Sequence, residues 1–364
     1  PHKAGLLYAG TDRGLYVSFD DGASWQSLSL DFPTAWVRDL LVHDGDLIAA
    51  TQGRGIWILD DLAPLRQAGD DLASQPARLF APPAALRVRA DENRDTPWPP
   101  STPLGQNPPS GAILDYWLGG AASGPITLTI RDEAGRVVRR FSSADTAEDL
   151  PATRYFQTGW LGPDGRRVAA GTPYGGRPLS TRAGMHRFVW DLRYPRPKAL
   201  AYGYSISAVW KEGEPLDPEG PLVLPGRYTA TLHANGEDYT QPLSVKLDPR
   251  IHVAPSALQD QLALALAVDS ALDRAVSTYR EVEASLRKGG SSLPAARADS
   301  LRALADSGDP SLRSVAGVLT EVAGRVQGAD AAPASGLRDV LEAYRKELDG
   351  LAARWERLRP ATSR

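Results

Sequence analysis

The feature that most constrains this chain is a repeat near its start. Leu7-Tyr8-Ala9-Gly10-Thr11-Asp12-Arg13-Gly14-Leu15-Tyr16-Val17 aligns with Leu47-Ile48-Ala49-Ala50-Thr51-Gln52-Gly53-Arg54-Gly55-Ile56-Trp57-Ile58 after one inserted residue, and Gly14 stands 41 residues before Gly55. Each copy is a β-branched or aromatic run, a turn on an Arg-Gly pair, and a second such run, which is the signature of a hairpin. A period near 40 residues built from short hairpins fits the four-stranded blade of a β-propeller.

Between the copies lies Ser18-Phe19-Asp20-Asp21-Gly22-Ala23-Ser24-Trp25, which fills every defining position of the Asp-box Ser-x-Asp-x-Gly-x-x-Trp. In such a turn the Ser18 and Asp20 oxygens bond local backbone N–H groups. Gly22 supplies a conformation that a Cβ would oppose, and Trp25 folds back over the hairpin. The motif marks a structural hairpin and says nothing of catalysis; calcium or ligand binding is its lesser alternative.

The Asp-box, the 41-residue period and the closing run Ala50 to Asp61 (Ala-Thr-Gln-Gly-Arg-Gly-Ile-Trp-Ile-Leu-Asp-Asp) resemble large bacterial BNR/Asp-box repeat proteins. Those proteins are similar to the sortilin-type ten-bladed propeller and often carry a glycosyl hydrolase label. Three later segments resemble the C-terminal region of the same family: Asn107 to Ala112, Phe188-Val189-Trp190-Asp191-Leu192-Arg193, and Leu224-Pro225-Gly226-Arg227-Tyr228. The resemblance covers most of residues 5–270. It implies that the Gly-Arg-Gly-Ile-Trp pattern closes a last blade. It also implies an extracytoplasmic protein, periplasmic, surface-bound or secreted.

Residues 1–63 amount to about one and a half blades, whereas a closed propeller takes at least about four. A lone blade bares strand edges and apolar faces. The chain opens on Pro1 with no signal peptide before it, so the sequence is expected to be a C-terminal piece. Its partner would be a preceding portion of the protein, or another chain, that supplies the remaining blades.

Residues 64–111 hold Pro82-Pro83, Pro97-Trp98-Pro99-Pro100 and Pro108-Pro109. So few backbone donors rule out a central strand or a long helix. The segment is expected to be an ordered linker anchored by Leu79, Phe80 and Trp98, with polyproline-type recognition as the alternative.

From Ala112 the period becomes two. Residues 113–118, 126–130 and 137–141 read as consecutive antiparallel strands, followed by 185–192, 226–232 and 239–247. Asp132-Glu133-Ala134-Gly135 and Asn235-Gly236 are hairpin turns. Six or seven short strands over 112–254 predict an immunoglobulin- or fibronectin-III-like sandwich, a pattern that also resembles the corresponding domain of flagellar hook-capping proteins. Two insertions interrupt it. One carries Tyr155, Phe156, Trp160 and Tyr174, which could form a glycan- or protein-binding surface or pack the insertion onto its neighbours. The other carries Tyr202, Tyr204 and Trp210, with the same two readings.

Beyond Pro255 the apolar residues recur at three- and four-residue steps: Leu258, Leu262, Leu266, then Leu312, Val315, Leu319, Val322, Val326, then Leu337, Val340, Tyr344, Leu348, Leu351, Trp355. Gly289-Gly290, Gly308-Asp309-Pro310 and Pro333 break this pattern into three long helices and a short one at 294–306. Short links predict an antiparallel helical bundle over 255–364.

Motifs for chemistry are missing. Among 364 residues there is no cysteine, which removes disulfides, thiolate metal sites and cysteine nucleophiles. The five histidines, His2, His43, His186, His233 and His252, have no metal-ligand spacing. No nucleophile elbow, phosphate loop or dinucleotide fingerprint occurs, and no cofactor is implied. The net charge of −3 lacks the basic excess that nucleic acid requires. No apolar run is long enough to span a bilayer. Glycoside hydrolysis needs paired carboxylates. Asp20-Asp21 and Asp60-Asp61 are adjacent but sit in turns, where neighbouring side chains diverge. Asp191 and Arg193 are expected to pair with each other.

The sequence therefore predicts a β-then-α multidomain chain: final propeller blade or blades, linker, sandwich and bundle. The expected role is non-catalytic, closing a propeller and mediating protein–protein contact. The alternatives are the accessory end of an extracellular glycoside hydrolase whose catalytic blades lie elsewhere, and a sortilin-like peptide receptor.

Overall fold

The protein is described here by a computed structural model covering residues 3–69, 71–89, 108–145, 178–202 and 218–359. Strands dominate up to residue 247, and helices from 255 onward.

The two repeats fold into two three-stranded antiparallel sheets. The first contains β1 (Leu7–Gly10), β2 (Leu15–Ser18) and β3 (Gln26–Ser27) in that order. The second contains β4 (Val37–His43), β5 (Asp46–Thr51) and β6 (Ile56–Leu59). Asp44 and Gly45 join β4 to β5 with φ of 48° and 102°, the left-handed pair that a two-residue hairpin requires. The turns of the two repeats match in detail. The Thr11 amide donates to the Gly14 carbonyl at 2.9 Å, and the Thr51 amide to the Gly55 carbonyl at 3.1 Å.

The sheets meet face to face over Leu15, Val17, Leu28, Val37, Leu47 and Ala49, with Tyr8 and Trp57 at the margin. Contact is close where β1 approaches β4: a Cβ on Gly10 would lie 2.5 Å from Val37 Cγ1. Glycine at position 10 is therefore dictated by packing rather than by turn geometry.

The middle region is a pair of sheets around one core. One sheet has the order β12 (Gly184–Trp190), β9 (Ala112–Leu118), β7 (Ala77–Leu79). The other has the order β11 (Val137–Ser142), β10 (Thr127–Asp132), β13 (Gly226–Ala234), β14 (Glu237–Leu247), β8 (Ala85–Arg87), with β8 parallel to β14 and the rest antiparallel. Leu114, Tyr116, Leu118, Ile126, Leu128, Ile130, Trp190 and Leu232 fill the space between them. Trp190 is fully buried, donates its indole N–H to the Arg193 carbonyl at 3.0 Å, and meets Tyr228 edge-on at 5.9 Å. Asn235 and Gly236, with φ of 53° and 87°, turn β13 into β14.

The hairpin expected at 132–135 joins β10 to β11, and two further pairings were not legible in the sequence. Residues 113–118 and 126–130 are not paired neighbours: β9 bonds β12 and β7, while β10 bonds β11 and β13. Alternation gives a strand's faces but not its partner, and the chain crosses between sheets at 119–126. The proline-rich segment 64–111 is also more than a linker, since it supplies an edge strand to each sheet. Pro76, Pro82 and Pro83 fall just outside β7 and β8, so both strands keep their donors where the ladder needs them. Leu79 and Phe80 are buried, as anchors should be; Trp98 lies outside the described residues.

The helical part begins after Ala254. A short helix, α1 (Ala63–Gln67), precedes it; α2 (Pro255–Gly289), α3 (Ala295–Arg302), α4 (Leu312–Val326) and α5 (Ser335–Leu358) make the rest. Pro255 opens α2 at a position that needs no donor, and Gly290, at φ 48°, ends it. Ser311 and Ser314 cap α4 reciprocally: each hydroxyl accepts the other's backbone amide, at 3.1 and 2.9 Å. Gln261 donates to Val326 O and Arg313 to the Tyr279 hydroxyl, so α4 runs antiparallel to α2. Arg345 donates to Ala267 O and Trp355 to Glu281, so α5 returns parallel to α2. Consecutive long helices are antiparallel, and the third closes beside the first around a shared core of Leu272, Val276, Leu319, Leu348 and Leu351.

The helices are locked to the sheets by polar contacts. Lys198 donates its amide to Asp273 at 2.5 Å and its Nζ to the Ser277 hydroxyl at 2.8 Å. Arg87 and Arg89 both reach Asp330 in the α4–α5 connection, at 2.7 and 2.6 Å.

Candidate functional site

The Asp-box is a self-satisfied turn. The Gly22 amide donates to Ser18 Oγ at 2.8 Å and the Ser24 amide to Asp20 Oδ1 at 2.8 Å, while the Ser18 hydroxyl donates to Asp20 Oδ1 at 2.8 Å. Asp21 and Gly22 carry φ of 61° and 91°. The hydroxyl and amide of Ser24 hold the Asp20 carboxyl down at about 2, so it is an anion already occupied by its own turn. Trp25 passes 3.7 Å from where a Gly22 Cβ would stand, yet its ring remains exposed.

The other sequence candidates separate. Tyr155, Phe156, Trp160 and Tyr174 lie outside the described residues, as do Tyr204 and Trp210. Tyr202 donates to Pro197 O at 2.7 Å beneath the Arg196 guanidinium. Asp191 and Arg193 do not pair side chain to side chain as expected. Asp191 accepts the Arg193 amide at 3.1 Å, because Leu192 at φ 58° curls the backbone between them. The Arg193 guanidinium points away, to Glu219 at 2.5 Å and Gly220 O at 2.8 Å. His186 bonds Arg182 O and His233 bonds Asp238. Among the described residues, no three of the His, Asp and Glu side chains gather to hold a metal.

Asp60 and Asp61 lie against Asp46, Asp115 and Arg187. Burial first, then neighbouring carboxylates, pushes both of their carboxyls upward. Asp61 takes the Ala63 amide at 2.8 Å, while the Asp61 amide donates to Asp46. Arg187 is committed to Asp115 by two bonds at 3.0 and 2.9 Å. The cluster ends β6 and starts α1.

What remains is a surface, and the repeat makes it legible. Residues alternate across a strand, so Tyr8, Gly10, Leu15 and Val17 share one face of the first sheet. Their repeat equivalents Ile48, Ala50, Ile56 and Ile58 share the matching face of the second. In the first sheet that face is covered by the second sheet, and Leu15 and Val17 are 5% and 3% exposed. In the second it is open, and Ile56 and Ile58 are 71% and 55% exposed. Leu41, Ile48 and Ile58 stand directly opposite one another across β4, β5 and β6, forming an apolar row on this open side. The reverse face of the first sheet, with Leu7, Ala9 and Tyr16, is likewise not enclosed by the core between the sheets. Sequence reading missed this row, although the alignment of Leu15 with Ile56 and Val17 with Ile58 was the signal that could have found it.

No protein-family model matches the chain, and no curated protein matches it. No helix among the described residues is long and apolar enough to cross a membrane.

Proposed function

We propose that this chain is the non-catalytic closing region of an Asp-box propeller protein, with an immunoglobulin-like sandwich and a helical bundle that add surface for protein–protein contact. The observation that carries this reading is the contrast between Leu15 and Val17, buried at 5% and 3%, and their equivalents Ile56 and Ile58, open at 71% and 55%. The packing step that joins the first sheet to the second ends on an unused copy of its own donor face. Stacked repeats bury their apolar faces only against neighbours, so a further sheet of the same kind is what the open face fits. Covering one isoleucine side chain contributes about 1.5–3 kcal/mol. Ala50 stands where the first repeat has Gly10, so the incoming sheet needs a residue smaller than Val37 at that point. A position outside the cytoplasm belongs to the same proposal and rests on the family resemblance alone.

Sedimentation of the isolated chain tests the reading. Expected is concentration-dependent self-association that the Ile56→Ser, Ile58→Thr double variant abolishes without loss of the cooperative unfolding transition. A wild-type chain that stays monomeric at every concentration reached would overturn it. Hydrolysis of a glycan by this chain alone would overturn the non-catalytic part.

A further inference from the structure

The outer edge of β6 carries backbone groups with no partner among the described residues, and the first repeat shows what belongs there. In the first sheet β3 lies against β2 through Tyr16 opposite Ser27 and Val17 opposite Gln26, and the Leu28 amide donates to the Leu15 carbonyl at 2.9 Å. In an antiparallel strand the N–H and C=O of one residue point to the same side, and successive residues alternate. Leu15 and Val17 therefore direct their backbone groups toward β3, while the Gly14 carbonyl turns inward to Thr11. The Gly55 carbonyl turns inward to Thr51 in the same way, which sets the phase of β6: Ile56 and Ile58 direct their N–H and C=O outward. Yet β6 ends its sheet. Where the first repeat makes the Asp-box and a third strand, the second turns at Asp61, φ 59°, into α1.

We infer that the free edge of β6 receives an extended segment of the polypeptide bearing the further repeats. This segment runs antiparallel to β6 and carries an aliphatic side chain at the position that Leu28 holds in the first sheet. The inference rests on the reading proposed above and adds the chemistry of the partner. Gln26 and Ser27 of the template are exposed, whereas Leu28 is buried on the same face as Leu15 and Val17. A segment with two polar residues followed by an aliphatic one, laid along β6, supplies the outward N–H and C=O of Ile56 and Ile58 with partners. It also lays the aliphatic side chain beside Ile56 on the open face, as Leu28 lies beside Leu15 in the first sheet, and leaves the polar residue opposite Ile58. Added strands bind through the main chain and are selected through alternate side chains, which is the division seen here.

The test uses the full chain and a capped synthetic peptide with the sequence of residues 25–31, followed by amide hydrogen exchange. Expected is about tenfold slower exchange of the Ile56 and Ile58 amides at millimolar peptide, with β4 and β5 amides unchanged. Ile58→Ala trims the open face but keeps the outward N–H, and keeps the protection of Ile56. Ile58→Pro removes that N–H, which is not one of those bonded to β5, and loses it; proline is tolerated on a solvent-facing edge. Unchanged β4–β5 exchange in each variant reports that the sheet persists. Absence of slowing in the wild-type chain, or equal slowing at Ile56 in Ile58→Pro, overturns the inference. Protection at the edge together with a strictly monomeric chain would overturn the stacked-face reading and leave the edge standing.

Discussion

The Arg87 guanidinium, 2% exposed at the end of β8, lies 2.7 Å from the Asp330 carboxylate, itself buried in the α4–α5 connection. Sheet and helix regions are thus tied by a charge pair taken out of water. Arg87 Nε also donates to Val223 O at 2.9 Å. Burial pulls the Arg87 guanidinium downward and Asp330 opposes this, so the anion is what permits a charged arginine there. Asp330→Ala should cost about 3–5 kcal/mol, because it strands a buried cation. Replacing both partners with leucine should cost far less. Urea denaturation of the two variants measures the difference.

Asp269, on α2, is buried with neither carboxylate oxygen bonded, and burial with Asp273 one turn away raises it to about 7. A carboxyl raised above its unfolded value favours the protonated native state. Its contribution to stability is complete below about pH 4 and is lost as pH rises through about 7. Asp269→Asn keeps the shape and removes the charge, so it should gain about 2–4 kcal/mol over the wild type at pH 8 and almost nothing at pH 4. Paired denaturation curves at the two pH values test this.

Ser18 is buried, and its hydroxyl takes the Gly22 amide at 2.8 Å. Ser18→Ala leaves that amide without its partner and should cost about 1–3 kcal/mol. Asp20 gains its proton only near pH 2, so its contribution to the turn holds above the ordinary carboxylate range and fades as pH falls toward 2. Exchange of the Ser24 amide across an acid series follows that loss.

Gly10 and Ala50 occupy equivalent places in the two repeats, yet each should lose stability when given the other's residue. Gly10→Ala pushes a methyl into Val37, 2.5 Å away, at a cost of about 1–3 kcal/mol. Ala50→Gly removes a half-buried methyl and frees the backbone, and should cost about 0.5–1 kcal/mol. Thermal unfolding of the pair compares a position that Val37 closes to a methyl with one that already holds a methyl.

Local signals carried much of the architecture. Two hairpins followed from the repeat, the β13–β14 turn from Asn235-Gly236, and the helix breaks from Gly289-Gly290 and Pro333. Strand partners did not follow, because alternation at 113–118 and 126–130 is the same whether the two strands pair or lie in opposite sheets. The edge strands at 77–79 and 85–87 were hidden by prolines that turned out to flank them. Asp191 and Arg193 looked like an ion pair until the left-handed Leu192 aimed their side chains apart.

The sequence by itself determined that residues 1–63 repeat a hairpin unit and that a 3.6-residue period takes over past Pro255, since turn chemistry and hydrophobic period are properties of neighbouring residues. Tertiary structure alone decided that Leu15 and Val17 are covered while Ile56 and Ile58 are bare, and that Arg87 meets Asp330. Burial and charge pairing depend on which surfaces come together, and residues equivalent in sequence acquire different environments only when the chain packs.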